Sequence, residues 1–301
     1  MVYCGVFSEV ITAQIQELNS SLLQAKKVHV LVQREDLIHP HVSGNKWRKL
    51  KYNLLHAKEK GFQKVLTFGG AFSNHIVATA AAVSAMGMEG VGLIRGEEQL
   101  PLNPTLLKAQ ESGMKLRYVD RTSYRLKAEK DWSVEFSEHY IIPEGGTNVL
   151  AVKGCEEIVS NTDFDIVCCA CGTGGTLAGI INSLQPQQKA IGFPALKGAD
   201  FLEKDIQQYV TSKEWEMCYD YHFGGYAKVN KELIDFINNF KQTHKIPLDP
   251  VYTGKLFFGV FDLIAKDYFR EGTTLLLIHT GGLQGIEGMN ERIKKKGWRI
   301  D

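Results

Sequence analysis

Apolar positions along this chain fall into short runs that alternate with longer stretches of helical spacing. Residues 28–33, 65–68, 91–95 and 115–119 are apolar runs of strand length. Between them, residues 46–60 bring Trp47, Leu50, Leu54 and Leu55 round near helical spacing, and Gly61 ends the run. An alanine-rich stretch, 74–86, reads as a helix stopped by Gly87, and 104–112 and 149–161 read as two more. A second series follows, with strands at 165–171, 190–193 and 274–279 and helices at 174–184, 200–212, 231–244 and 255–268.

Alternation of this kind predicts an α/β fold with twisted, parallel-type sheets flanked by helices. Two series predict two domains with a cleft between them. The larger comprises 1–46 and 149–301, and the smaller 47–148. Open parallel sheets bind ligands beyond the carboxyl ends of their strands. The turns at Ser73, Gly172 and Gly281 all follow predicted strands and therefore mark the cleft.

Composition narrows the class. A chain of 301 residues with 44% hydrophobic and 23% charged residues is ordinary for a globular enzyme. A formal charge of +1 argues against nucleic acid or an anionic membrane as partner. The basic stretch 292–296 includes Ile293 and reads as a solvated helix end. Residues 1–10 lack the basic and apolar regions of a signal peptide, and no run approaches the ~18–20 apolar residues of a membrane span. A cytoplasmic location is expected. The cysteines, Cys4, Cys155, Cys168, Cys169, Cys171 and Cys218, read as small buried hydrophobes rather than disulfides or zinc ligands.

Three segments carry candidate chemistry. The apolar run 165–171 enters Gly172-Thr173-Gly174-Gly175-Thr176 and then a helix. Glycines let the backbone approach an anion, helix N-terminal amides favour negative charge, and the two threonines add donors. The plain alternative is a tight strand-to-helix turn with no ligand. A dinucleotide site would want an acidic residue about 20 positions on, and residues 190–195 hold none; this disfavours a nicotinamide dehydrogenase. The Gly-Lys-Ser/Thr ending of a P-loop is also missing. One terminal phosphate without a ribose fits better.

The second segment is Ser43-Gly44-Asn45-Lys46 at a helix start. The positive end of a helix dipole favours a neutral lysine amine, the form needed for Schiff-base chemistry. A solvated surface lysine is the alternative. The third is Gly69-Gly70-Ala71-Phe72-Ser73-Asn74-His75, which could receive a carboxylate and a phenolate oxygen, or could simply be a capped helix.

Together with Asp249-Pro250-Val251-Tyr252-Thr253-Gly254-Lys255 and His279-Thr280-Gly281-Gly282, these segments resemble, in order, the fold-type II pyridoxal-phosphate (PLP) enzymes, whose fold is that of the tryptophan synthase β-subunit. Within them the chain is similar to the 1-aminocyclopropane-1-carboxylate (ACC) deaminase and D-cysteine desulfhydrase family. The resemblance implies that Lys46 holds PLP and later transfers the substrate proton. It implies that Asn74 bonds the cofactor phenolate, and that Ser73, with His75 and Thr280, faces the substrate. Gly172, Thr173, Gly174, Gly175 and Thr176 would cradle the phosphate. Tyr252 would lie by the pyridine ring, with Tyr226 as a second active-site tyrosine, and Thr253 would meet the ring nitrogen. A homodimer acting on a small amino acid is implied too.

ACC deaminases typically carry Glu where this chain has Thr253, and Leu where it has Thr280. A hydroxyl leaves the ring a weaker electron sink than a carboxylate does. That suits β-elimination of a thiolate, giving pyruvate, ammonia and sulfide from D-cysteine. The alternatives are ACC deamination to 2-oxobutyrate, and a PLP-binding protein without useful turnover.

Overall fold

The computed structural model describes residues 7, 11–127, 129–159 and 162–301. The segment read for a signal peptide, Cys4 and the far end of the helix expected over 149–161 fall wholly or partly outside them. Two sheets organise the chain. The larger has strand order β1 (Gln14–Leu18), β2 (His29–Arg34), β10 (Thr274–Ile278), β7 (Ile166–Cys171), β8 (Lys189–Pro194) and β9 (Trp215–Met217). All its pairings are parallel except β1 with β2. The smaller is fully parallel, in the order β5 (Lys115–Val119), β4 (Glu89–Arg95), β3 (Lys64–Gly70) and β6 (His139–Ile141).

Helices cover both faces of the larger sheet. On one side lie α1 (Ser21–Lys26), α9 (Lys231–His244), α10 (Thr253–Ala265) and α11 (Gly285–Ile293). On the other lie α6 (Val149–Cys155), α7 (Gly175–Asn182) and α8 (Phe201–Gln207). Strand alternation divides β7 between these layers: Cys168 packs on the α9–α10 side, Cys169 and Cys171 on the α7 side. Cys168 and Cys171 have CxxC spacing, yet they point to opposite faces and cannot act as a pair. Burial pushes the described thiols up, Cys155 to about 11 and Cys171 to about 12. The smaller sheet is flanked by α2 (Asn45–Glu59), α3 (Asn74–Ala85), α4 (Pro104–Glu111) and α5 (Arg121–Arg125).

Some elements differ from expectation. The helix at 149 ends at Cys155, and α10 starts two residues before Lys255 and stops at Ala265. Strands β1, β6 and β9 are short, with few buried positions, so they lack a strong apolar run. Among the described residues no helix is long and apolar enough to cross a membrane, and no group of metal-ligating side chains could hold an ion.

Candidate active site

The start of α2 is pinned from several directions. Glu35, fully buried, accepts from Arg48 Nε at 2.9 Å, and its carbonyl accepts the Gly44 amide at 3.1 Å. Gly44 sits at φ +67, and a Cβ there would lie 2.0 Å from the Thr280 carbonyl oxygen, so the close approach needs glycine. The Asn45 amide donates to that same carbonyl at 3.3 Å. The first turn of α2 is thereby fixed against the 279–282 turn that follows β10.

Lys46 stands half-buried on that turn and donates to Asn45 Oδ1 at 2.7 Å. Burial, then the charge of Lys49, pulls its amine down to about 7, against the attraction of Asp249. The buried thiols of Cys155 and Cys169 stay protonated at neutral pH and lend no charge. Lys46 is thus a lysine with a substantial neutral fraction near pH 7.

Asn45 also donates through Nδ2 to Thr176 Oγ1 at 2.8 Å, joining the lysine to the glycine-rich turn. In that turn added Cβ atoms would crowd: Gly174 against Ile206 at 2.6 Å, and Gly175 against Thr147 at 2.6 Å. A Cβ at Gly172 would lie 3.1 Å from the Tyr252 ring and hydroxyl. The turn therefore presents bare backbone at the N-terminus of α7. Lys49, one helical turn beyond Lys46 and buried, reaches the same place. It donates to Gly145 O at 2.7 Å, Thr147 Oγ1 at 2.8 Å and Thr173 Oγ1 at 3.3 Å. Burial lowers its amine to about 8. Thr173 itself is exposed and lies 2.6 Å from Thr147 Oγ1.

On the smaller sheet, Ser73 caps α3, accepting from the Ile76 amide at 3.4 Å. Asn74 Oδ1 accepts from Gln284 Nε2 at 2.7 Å, a bond between elements of the two sheets. Its Nδ2 faces Gly282, where a Cβ would lie 2.8 Å away. The His75 ring is held from the sheet side. It is buried, with Nε2 2.7 Å from Thr67 Oγ1. Thr67 spends its hydrogen on the Ile142 carbonyl at 3.0 Å, so Nε2 must donate. Nδ1 is then a buried lone pair without a partner. Burial and the charges of Lys46 and Lys49 push the ring well below the usual histidine range. The ring is buried, with a Cβ on Gly146 lying 3.0 Å from its Cε1, and it feels the charges of both Lys46 and Lys49.

The segment before α10 is built on Asp249. Its buried carboxylate accepts from the amides of Val251 at 2.8 Å, Tyr252 at 2.6 Å and Thr253 at 3.3 Å. Burial raises it to about 6 despite those bonds. The Asp249 amide donates to Thr253 Oγ1 at 2.8 Å, leaving the threonine's own hydrogen to donate. Thr253 is fully buried, and Thr280 nearly so. The Tyr226 and Tyr252 rings meet edge to face at 6.2 Å. Burial raises both phenols, Tyr252 further because Tyr226 and Asp249 lie close, so both stay protonated. Lys255 holds this pair together. Its buried ammonium donates to Ala195 O at 3.3 Å, His222 O at 2.9 Å and Gly225 O at 2.8 Å, fixing the loop that carries Tyr226.

An electrophilic carbonyl with one phosphate fits this arrangement: a depressed lysine, a bare glycine turn, and a buried ammonium and amide at the turn's hydroxyls. The family described as pyridoxal-phosphate dependent enzyme matches residues 13–281. The chain belongs to that family. Its branch is that of the ACC deaminases and D-cysteine desulfhydrases. A "Putative 1-aminocyclopropane-1-carboxylate deaminase" of Pyrococcus abyssi is 32% identical over 86% of each chain. A bifunctional D-cysteine desulfhydrase/1-aminocyclopropane-1-carboxylate deaminase, mitochondrial, of Arabidopsis thaliana is 29% identical over 85% of this chain and 72% of its own. The solved structure of an ACC deaminase homologue superposes with a TM-score of 0.79 at 30% identity, covering 95% of both chains. A hydrogen sulfide-producing enzyme of Fusobacterium nucleatum shares the fold, with a TM-score of 0.68 at 15% identity.

Sequence reasoning missed Asn45, Lys49, Gln284 and Lys255 as site residues. Lys49 had a signal, since it lies three residues after Lys46 and shares its helix face. Lys255 and Gln284 had none, because their partners are backbone carbonyls and a side chain distant in sequence.

Proposed function

We propose that this enzyme is a deaminating lyase that eliminates thiolate from the β-carbon of a small amino acid, with D-cysteine the best-fitting substrate. The observation that carries this reading is Thr253. It supplies a hydroxyl where a ring-nitrogen carboxylate would otherwise stand. Asp249, the carboxylate next to it, is occupied by three backbone amides.

Bound at Lys46, pyridoxal phosphate supplies an electron sink conjugated to the substrate α-carbon. In this reading Lys49, Asn45 and the amides of 172–176 hold its phosphate, and Asn74, steadied by Gln284, bonds its phenolate. Ser73 and the N-terminus of α3 receive the substrate carboxylate. Lys46 Nζ, neutral in part at pH 7, takes the α-proton. The protonated phenols of Tyr226 and Tyr252 border the leaving group, and Thr280 closes the wall beside Gly44. Cysteine plus water then yields pyruvate, ammonia and sulfide.

A second reading, ACC deamination, draws support from the names of the relatives. Release of sulfide and pyruvate from D-cysteine, compared with 2-oxobutyrate from ACC, separates the two. Sulfide release at the higher kcat/KM supports elimination, and 2-oxobutyrate release at the higher value overturns it. We further propose that the two sheets form the cores of two domains, 1–46 with 149–301 and 47–148. A homodimer is proposed from the resemblance alone. A cytoplasmic setting is proposed because Cys155, Cys168, Cys169 and Cys171 are buried free thiols and Cys218 a half-buried one.

A further inference from the structure

A cavity of about 300 Å³ lies at the carboxyl ends of the smaller sheet's strands, lined by Arg95, Arg121, Tyr124, Arg125, Lys127 and Glu144. Lys127 is paired with Glu144 at 2.9 Å. Arg95, Arg121 and Arg125 make no ion pair with any described residue. The Tyr124 ring forms a shared wall, with the Arg95 guanidinium 5.9 Å and Lys127 Nζ 4.6 Å from its centroid. Its hydroxyl is buried beside the Glu144 carboxylate without a hydrogen bond of good geometry, and both burial and that carboxylate keep it protonated. Three guanidiniums without an ion-pair partner among the described residues, gathered round one cavity, suit an oxyanion.

The cavity adjoins the proposed site. Gly70 ends β3 three residues before Ser73, and a Cβ on it would lie 3.4 Å from Arg95 Nη2. Glu144 is followed directly by Gly145, whose carbonyl binds Lys49. Arg95 and Glu144 both act electrostatically on Tyr226. The cavity therefore lies beside the strand end that leads to the turn proposed for the substrate carboxylate, within electrostatic reach of Tyr226. A water molecule's share of volume is about 30 Å³, so the space holds a group of several heavy atoms. A bare thiol would not fill it.

We propose that this cavity receives an anionic group on the leaving thiol, so that the enzyme accepts cysteine S-conjugates whose sulfur substituent carries a carboxylate. The proposal rests on the β-elimination reading. The Cα proton passes to Lys46 Nζ, and the Cβ–S bond breaks with its electron pair going to sulfur. The thiolate takes up a proton, and water at Cα releases ammonia. Overall, conjugate plus water gives pyruvate, ammonia and a free thiol, with no oxidant or reductant.

The test compares S-carboxymethylcysteine with its neutral isostere S-carbamoylmethylcysteine, both enantiomers of each, on the holoenzyme. Calorimetric binding of the amine-free acid 3-(carboxymethylthio)propionate and its distal amide supplies a readout independent of turnover. The expected result is an acid-over-amide preference of about tenfold or more in kcat/KM and in Kd, as for a hydrogen bond to a charged group. The preference should shrink with added salt and fall toward one in Arg121→Gln/Arg125→Gln, a double substitution at exposed positions. Equal handling of acid and amide, or a preference that survives the double variant, overturns the proposal. If cysteine itself yields no keto acid, the elimination reading fails, and the binding comparison alone decides the cavity.

Discussion

The Asn45 side chain donates to Thr176 at 2.8 Å while accepting from Lys46 at 2.7 Å. One amide therefore ties the lysine on the first turn of α2 to the glycine-rich turn before α7, elements that lie 131 residues apart. Asn45→Ala removes both bonds and leaves the buried Thr176 hydroxyl short of a partner. Cofactor affinity should fall about tenfold to a hundredfold, the cost of one or two buried hydrogen bonds. Spectrophotometric titration of the cofactor-free protein measures this, and the wild-type fold should persist by circular dichroism.

Lys49 makes a different prediction. Its ammonium touches Thr173 and Thr147 at the glycine turn, and it acts on Lys46 through its charge alone among the interactions described. Lys49→Met should weaken pyridoxal phosphate binding by about a hundredfold, as expected for loss of a buried charge-assisted contact. Binding of pyridoxal, which lacks the phosphate, should change little when compared at a pH where Lys46 is neutral in both proteins, since loss of the Lys49 charge lets the Lys46 amine rise. Equal losses for the two ligands would show that Lys49 shapes the helix rather than holds the anion.

Lys255 should affect catalysis while leaving loading largely intact. Lys255→Met leaves three carbonyls, of Ala195, His222 and Gly225, without their cation. The Tyr226 loop should loosen, and kcat should fall about tenfold or more while cofactor affinity changes by less than about threefold. Added ammonium or potassium should restore part of kcat, since a carbonyl cage suits a monovalent cation. Loss of cofactor affinity in step with kcat would refute this division of labour.

The pH dependence follows from two amines with opposite requirements. Lys46, at about 7 through burial and the neighbouring charge of Lys49, must be neutral to react. Lys49, at about 8 through burial, must be charged to hold a phosphate. Loading of the cofactor-free protein should therefore be best between about pH 7 and 8, falling on the acid side as Lys46 protonates and on the alkaline side as Lys49 loses its charge. Both amines lie below their unfolded value of 10.5. The unfolded chain therefore binds more protons between their folded values and that value. The cofactor-free protein should gain stability as pH rises from about 7 toward 10.5, where these groups dominate. Denaturant unfolding at stepped pH tests the sign.

Much of this architecture was legible because parallel, doubly covered strands must be apolar throughout, as in the buried 166–171 run. The glycine turn was legible for the same reason: it follows such a strand directly. Strands β1 and β9 escaped notice because edge positions keep polar residues, as in Gln14, Gln16 and Glu17. Lysines are solvated by default, so a sequence pattern cannot show that Lys49 and Lys255 are buried on carbonyls and hydroxyls. The partner of the His75 ring, Thr67, lies on the neighbouring strand and was invisible in the local motif.

The most direct measurement is to load the protein with pyridoxal phosphate, reduce it with borohydride, and map the modified peptide. Attachment on Lys46, together with loss of the visible chromophore in a folded Lys46→Ala variant, is the predicted result. A label on Lys49 or Lys255, or a chromophore that survives in Lys46→Ala, would contradict the assignment of Lys46 as the cofactor lysine.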